Sequence, residues 1–286
     1  MKPLATSSLQ IRLMHKHELA ECMDWAAQEG WNPGLHDHET FFAADPEGFL
    51  LAELEGQAVG MISAVRYGAD FGFIGFYIVR PAYRGRGHGL AIWNAGMAHL
   101  KGRLVGLDGV VAQQENYRKS GFVLAYNNMR MQGQAQSRGA AHTGIFRLGL
   151  DDIPRLVAYD AAMFPSARAS FVQHWVQQLG SIALGLARQG ALCGYGVIRP
   201  CRTGFKVGPL FADDAEAAGH LLHALMGSVP AGAQVQLDIS ANHAAARALA
   251  ESWDMQPVFE TARMYTGAAP AFDLQRQFGI TTFELG

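Results

Sequence analysis

Apolar and polar positions along the chain switch repeatedly between a period of two and a period near 3.6, and the switches mark out its elements. Leu9 to Met14 reads as a short strand, His15 to Glu29 as a helix stopped by Gly30, and Glu39 to Ala44 as a short helix closed before Pro46. Three apolar strands follow in quick succession, Phe49–Leu54, Ala58–Arg66 and Phe71–Val79. Glu55-Gly56 and Gly68-Ala69-Asp70 supply their turns, which predicts an antiparallel meander. Beyond Pro81 the spacing lengthens: Leu90, Trp93, Met97 and Leu100 share one face of a helix that Gly102 ends. Val105–Val110 and Phe122–Met131 read as strands around a helix at Gln113–Ser120.

Residues 133–143 are small and polar, carry no periodicity, and read as a linker between a unit at 1–132 and a second at 144–286. The second unit repeats the plan. Ile145–Leu148 is a strand, Asp151–Met163 and Ala169–Leu179 are helices, and Ile182–Arg188, Leu192–Ile198 and Phe205–Leu210 are strands. A helix at Ala215–Met226, a strand at Val235–Ile239, a helix at His243–Trp253 and a strand at Val258–Tyr265 complete it. Local echoes support a repeat: Leu107-Asp108 matches Leu237-Asp238, and Asn128-Met129-Arg130-Met131 resembles Ala262-Arg263-Met264-Tyr265. The expected fold is therefore α/β, in two tandem modules, each a mixed and mostly antiparallel sheet flanked by helices.

Composition narrows the function more than the fold. In 286 residues, 49% are hydrophobic and 17% charged, with a formal net charge of −2, so a polyanion such as nucleic acid is not the expected partner. Cys22, Cys193 and Cys201 are scattered and odd in number, which suits reduced thiols and a cytoplasmic setting. The first residues lack the apolar core of a signal peptide, and no apolar run reaches the ~18 residues of a membrane span. The histidine pairs His15/His17 and His36/His38 stand two apart, so their rings diverge on a helix or strand, and no metal site is expected.

The chemistry concentrates in Tyr77-Ile78-Val79-Arg80-Pro81-Ala82-Tyr83-Arg84-Gly85-Arg86-Gly87-His88-Gly89-Leu90. A strand runs into three glycines at alternate positions and a helix starts at once. Glycines let successive backbone N–H groups turn into one concavity, and the helix N-terminus adds unpaired N–H groups with a partial positive charge. Arg84, Gly85, Arg86, Gly87, His88 and Gly89 together make a pyrophosphate site, His88 through its backbone N–H. The G-x-G-x-G spacing departs from the dinucleotide fingerprint, and the Gly-Lys-Ser/Thr of a P-loop is absent.

The order of elements and the Arg-x-x-Gly-x-Gly of Arg84, Gly87 and Gly89 resemble the GNAT acyltransferase superfamily. A second motif agrees, since Tyr117-Arg118-Lys119-Ser120-Gly121-Phe122 looks like that family's Tyr-x-Lys-x-Gly-Phe. The resemblance is firm over 9–131 and looser over the rest, which looks like a tandem protein with a degenerate second copy. It implies acetyl-CoA as acyl donor, a primary amine (of a small molecule) as acceptor, direct attack in a ternary complex, and no metal. It further implies that the backbone of Ile78 and Val79 pairs with the pantetheine arm, that Tyr117 protonates the departing thiolate, and that Asn116 stands on the cofactor side. The segment between the first two helices covers the acceptor pocket in this family, so Trp31, Asn32 and Asp37 are the acceptor candidates. Family members that carry a glutamate base place it on the strand before the loop. Phe71–Val79 has none, so a water-relayed base is expected; Asp108, at a strand end, is a candidate base, and its echo Asp238 in the other half points at least as strongly to a structural role. A coenzyme A-binding sensor without catalysis and a protein N-acetyltransferase are the rival readings, and the chain is expected to be a monomer or a homodimer.

The matching junction of the second half is Gly208-Pro209-Leu210-Phe211-Ala212-Asp213-Asp214-Ala215-Glu216, without a glycine loop or an arginine. Its aspartates repel a pyrophosphate: like charges ~4 Å apart cost about 4 kcal/mol at an effective dielectric of 20. One coenzyme A per chain is expected.

Overall fold

The computed structural model describes residues 8–136, 139 and 142–286. The first half supplies β1 (Leu9–Leu13), α1 (Lys16–Gln28), α2 (Asp37–Ala44), β2 (Phe49–Leu54), β3 (Gln57–Tyr67), β4 (Phe71–Val79), α3 (His88–His99), β5 (Leu104–Val110), α4 (Gln114–Lys119) and β6 (Val123–Gln134). The second supplies β7 (Ile145–Arg147), α5 (Ile153–Asp160), α6 (Ala169–Val176), β8 (Ile182–Arg188), β9 (Ala191–Pro200), β10 (Phe205–Ala212), α7 (Ala215–Gly227), β11 (Gln234–Ser240), α8 (Ala244–Glu251), β12 (Gln256–Tyr265) and β13 (Gln277–Gly279). Both halves run through the same order of elements, and β13 is an addition that the apolar pattern does not announce. β6 takes in the first two positions of the expected linker, while residues 137, 138, 140 and 141 of that linker lie outside the described residues.

The strands join one mixed sheet in the order β1-β2-β3-β4-β5-β12-β6-β11-β10-β9-β8-β7, with β13 beside β10. β4–β5 and β10–β11 are parallel pairs. The order is not that of two independent sheets set side by side. β12, from the second half, lies between β5 and β6, while β6, from the first half, lies between β12 and β11. Each half lends its last long strand to the other.

Two buried ion pairs fix this exchange. The register sets Asp238 opposite Arg130 and Asp108 opposite Arg263. Arg130 donates to Asp238 at 2.7 and 2.8 Å, and Arg263 donates to Asp108 at 2.8 and 2.6 Å. Each aspartate takes the arginine of the other half, so the two sequence echoes are one contact made twice. A slip of either strand by one residue would strand two buried charges, and an uncompensated buried charge is strongly destabilising. Both oxygens of Asp108 are thereby taken up in holding the halves together.

Apolar packing divides into three clusters. Phe41, Phe76, Phe164, Phe171, Trp175 and Phe211 belong to a core shared by both halves, where α2 lies against α6. Phe41 and Trp175 stack at 5.8 Å, and the Trp175 indole donates to the Gly208 carbonyl at 2.9 Å. Separate clusters hold Ile62, Ile92 and Trp93 under α3, and Leu221, Leu225 and Leu237 under α7. The shared aromatic layer makes the second half a wall of whatever opens in the first.

Candidate active site

β4 and β5 pair from Phe71↔Leu104 to Ile74↔Leu107 and then part, although β4 continues to Val79 and β5 to Val110. The cause is a bulge: the register of β4 with β3 shifts after Met61↔Ile78, around Phe76, whose φ is +44°. A bulge bends its strand and deepens its twist, and a positive φ at a phenylalanine persists only where packing enforces it. Phe76 is 1% exposed and packs against Phe41 and Trp31. The result is a V-shaped opening in which Tyr77 to Val79 have no β5 partner for their backbone.

This opening is a cavity of about 590 Å³. From the first half it is lined by Trp31, Phe76, Tyr77, Ile78, Val79, Arg84, Gly85, Gly89 and Tyr117, among others. From the second come Phe259, Thr261, Phe283 and Glu284.

The glycine loop closes one end. Gly85 and Gly87 have φ of +74° and +84°, and nothing lies within 4 Å of where a Cβ would stand on either. Side chains there would be strained by the backbone rather than blocked by neighbours, and the open faces form a cradle. Gly87 is the N-cap of α3, so the first-turn N–H groups of that helix point to the loop. A Cβ at Gly89 would stand 2.7 Å from the Tyr77 hydroxyl, so any larger residue there would push that ring aside. Arg84 donates Nε to the Val79 carbonyl at 2.8 Å and forms an ion pair with Glu29. Arg86 is exposed, with its guanidinium 5.9 Å from the Tyr83 ring centre, and His88 opens α3. Arg86, Gly87 and His88 do not line the cavity itself; they belong to the same short loop as Arg84, Gly85 and Gly89, which do. Two arginines, an open cradle and a helix N-terminus fit a pyrophosphate.

Tyr117 lines the cavity from α4 and packs against Trp93, with ring centres 5.6 Å apart. Gly109 on β5 admits the ring, since a Cβ there would meet Tyr117 at 2.2 Å. Burial, with a smaller contribution from Tyr77, pushes the Tyr117 phenol up to about 12. Asn116 is exposed, gives its amide to Gln113 at 2.7 Å, and does not line the cavity.

Of the acceptor candidates, Trp31 lines the cavity and Asn32 and Asp37 do not. Both are consumed in joining the halves. Asn32, at φ +52°, donates to the Thr203 carbonyl and to Gln236 at 3.0 Å each, and accepts from the Thr203 N–H at 2.9 Å. Asp37 is 1% exposed and takes Arg199 at 2.8 and 3.2 Å, with further donors from Gly34 and Gln178. Burial would raise the Asp37 carboxyl, and the Arg199 guanidinium outweighs it and holds the group below the ordinary carboxylate range. A carboxylate satisfied by a buried arginine is not available to an amine.

The second-half walls were not legible in the sequence. Tyr67 donates to the Leu285 carbonyl at 3.0 Å across 218 residues of chain, and no short-range pattern announces such a contact. In the second half the equivalent opening exists but is filled. β10 and β11 pair to Val207↔Leu237 and part; β13 pairs with β10 there, and the Ile280 N–H donates to the Asp238 carbonyl at 2.7 Å. Asp214 caps α7 through the Ala217 N–H at 2.8 Å and pairs with Arg188, while Asp213 takes the Tyr159 hydroxyl at 2.8 Å and pairs with Arg276.

Among the described residues no group of three or more His, Cys, Asp or Glu could hold a metal ion, and no helix is long and apolar enough to cross a membrane. Comparison with known proteins adds two family matches, an acetyltransferase (GNAT) family at residues 15–122 and an acetyltransferase (GNAT) domain at 156–279. Holothin acyltransferase of Pseudoalteromonas sp. (strain SANK 73390) is 31% identical over 263 residues, 92% of this chain and 90% of that protein. A tandem GNAT protein from the clavulanic acid biosynthesis pathway superposes with a TM-score of 0.66 at 14% identity, over 92% of this chain and 100% of that one. A GCN5-related N-acetyltransferase from Sphaerobacter thermophilus gives 0.63 at 16%, over 94% and 98%. At these identities the two structures share the fold. Enzymes of this family generally use acetyl-CoA. Two family matches in tandem and an acyltransferase relative matched over 92% of the chain place it in the GNAT superfamily, as an acyltransferase.

Proposed function

We propose that this chain transfers an acetyl group from acetyl-CoA to a primary amine of a small molecule, at one site per chain. Residues 1–132 form the catalytic unit and 144–286 a degenerate copy that walls it. The observation that carries this reading is the parting of β4 from β5 directly before the glycine loop, while the matching gap in the second half holds β13. Arg84, Gly85, Arg86, Gly87 and the first turn of α3 would hold the pyrophosphate. The backbone of Ile78 and Val79 would pair with the pantetheine arm as an added strand.

When bound, acetyl-CoA supplies a thioester carbonyl open to attack. The N–H groups of β4 without a β5 partner polarise that carbonyl. Tyr117, whose phenol is pushed up to about 12, keeps its proton at neutral pH and can give it to the leaving sulfur. Trp31, Phe259 and Phe283 offer aromatic faces to the acceptor, which suits a flat or apolar small molecule better than a protein chain. The holothin named in the relative's activity is the first acceptor to try.

Calorimetric titration with acetyl-CoA, followed by a thiol-release assay with holothin and simple primary amines, tests the proposal. Binding at one site per chain and release that depends on the acceptor are expected. Two sites would mean that β13 yields to the cofactor, and no binding would end the reading.

A further inference from the structure

Transfer to an amine requires a group that takes the amine proton, and β4 contains no carboxylate. Among the described residues, three carboxylate residues line the cavity: Glu29, Asp108 and Glu284. Glu29 is paired with Arg84 at the loop. Asp108 has both oxygens on Arg263 and accepts the Asn128 amide at 2.7 Å. Glu284 differs from both. Its Oε2 accepts the Thr282 hydroxyl at 2.5 Å, and among the described residues no donor reaches its Oε1.

The main chain around Glu284 is firmly held. Its N–H donates to Thr282 Oγ1 at 2.8 Å, and its carbonyl lies so close to Gly75 that a Cβ there would stand 1.9 Å away. Gly75 immediately precedes Phe76, the bulged residue at which β4 leaves β5. Glu284 is therefore seated on β4 where the opening begins, although it belongs to the other half of the chain. Thr261, 2% exposed, lines the same cavity with a hydroxyl that has no partner among the described residues, as expected of a wall built for a polar ligand.

We propose that Glu284 is the general base of the transfer, a role that rests on the acyltransfer reading above. The amine nitrogen bonds to the thioester carbon, its N–H proton passes to the Glu284 carboxylate, and the C–S bond breaks as the sulfur takes the Tyr117 proton. Exchange with water then removes the proton from Glu284 and restores the one on Tyr117, so charge and atoms balance. Among the described residues, Arg130 on β6, Arg199 on β9 and Lys206 on β10 are charged groups that feel the Glu284 carboxylate. Arg130 and Arg199 are neutralised by Asp238 and Asp37; Lys206 lies 3.5 Å from the Trp31 carbonyl, with Cys201 near it.

The test is Glu284→Gln, which keeps the shape of the side chain and its bond to Thr282. Acetyl-CoA affinity and melting temperature should stay close to those of the parent protein. kcat/KM with holothin should fall about a hundredfold or more, and the acid limb of its pH profile should disappear. Glu284→Asp should recover at least part of the loss. In protein labelled at glutamate carboxyl carbons, the resonance missing from Glu284→Gln should move when holothin is added, a readout independent of turnover. Turnover of Glu284→Gln equal to the parent's, or a loss of acetyl-CoA binding that accounts for the whole drop, would overturn the proposal. A parent protein that binds acetyl-CoA but transfers to no amine would instead remove the acyltransfer reading, and this proposal with it.

Discussion

The parallel strand pairs β4–β5 and β10–β11 begin alike and end differently. Each is zipped over a few residues and parts at a glycine, Gly75 in one and Gly208 in the other, and in each that glycine lies under a carbonyl of the segment 280–284. Beyond that point the first pair opens into a cavity that leads to two arginines and three glycines. The second is filled by β13 and leads to two aspartates already bound to the chain's own donors. One backbone geometry thus ends as an open cavity in one half and as a gap filled by a strand in the other.

The comparison can be broken hardest at the exchanged strands. Arg130→Met leaves Asp238 buried without its arginine, and Arg263→Met leaves the buried Asp108 with the Asn128 amide but no countercharge. Each should cost about 3–5 kcal/mol in urea unfolding. Equal losses would make the exchange symmetric in energy, whereas a loss below about 1 kcal/mol for either would mean that water reaches the stranded carboxylate. Next in size is Tyr117→Phe, which should lower turnover about a hundredfold with little change in acetyl-CoA affinity. Equal turnover would reduce Tyr117 to a packing residue on Trp93. The smallest effect sharpens the contrast between the loops: Arg84→Glu should weaken acetyl-CoA binding at least about tenfold, or about 1.4 kcal/mol. Unchanged affinity in a calorimetric titration would separate the loop from the cofactor.

Much of the fold was legible because each element carries its own period and its own stop. The meander, the helix after Pro81 and the repeat of the whole plan all follow from local spacing, and the glycine loop from backbone freedom that only glycine offers. What could not be read is whatever depends on the strand exchange. Asn32 and Asp37 looked like acceptor residues because they sit in the expected covering segment. Their partners, Arg199 on β9, Thr203 in the turn that follows it and Gln236 on β11, stand more than 160 residues away. Phe283 and Glu284 carry no motif at all, and only the path of the chain beyond β13 brings them to β4. Sequence spacing reports contacts along an element, and this site is made largely of contacts between halves.

The lent strands also govern how the molecule can come into being. β5 waits for β12, some 150 residues later in the chain, before both its edges are paired. A ribosome that has released only the first half has therefore made a sheet with one unfinished, apolar border, and open borders of that kind invite pairing with other chains. Contacts so distant in sequence also slow the search for the native arrangement. The protein cannot mature module by module, as a tandem repeat ordinarily would, and its two halves must reach their final form together.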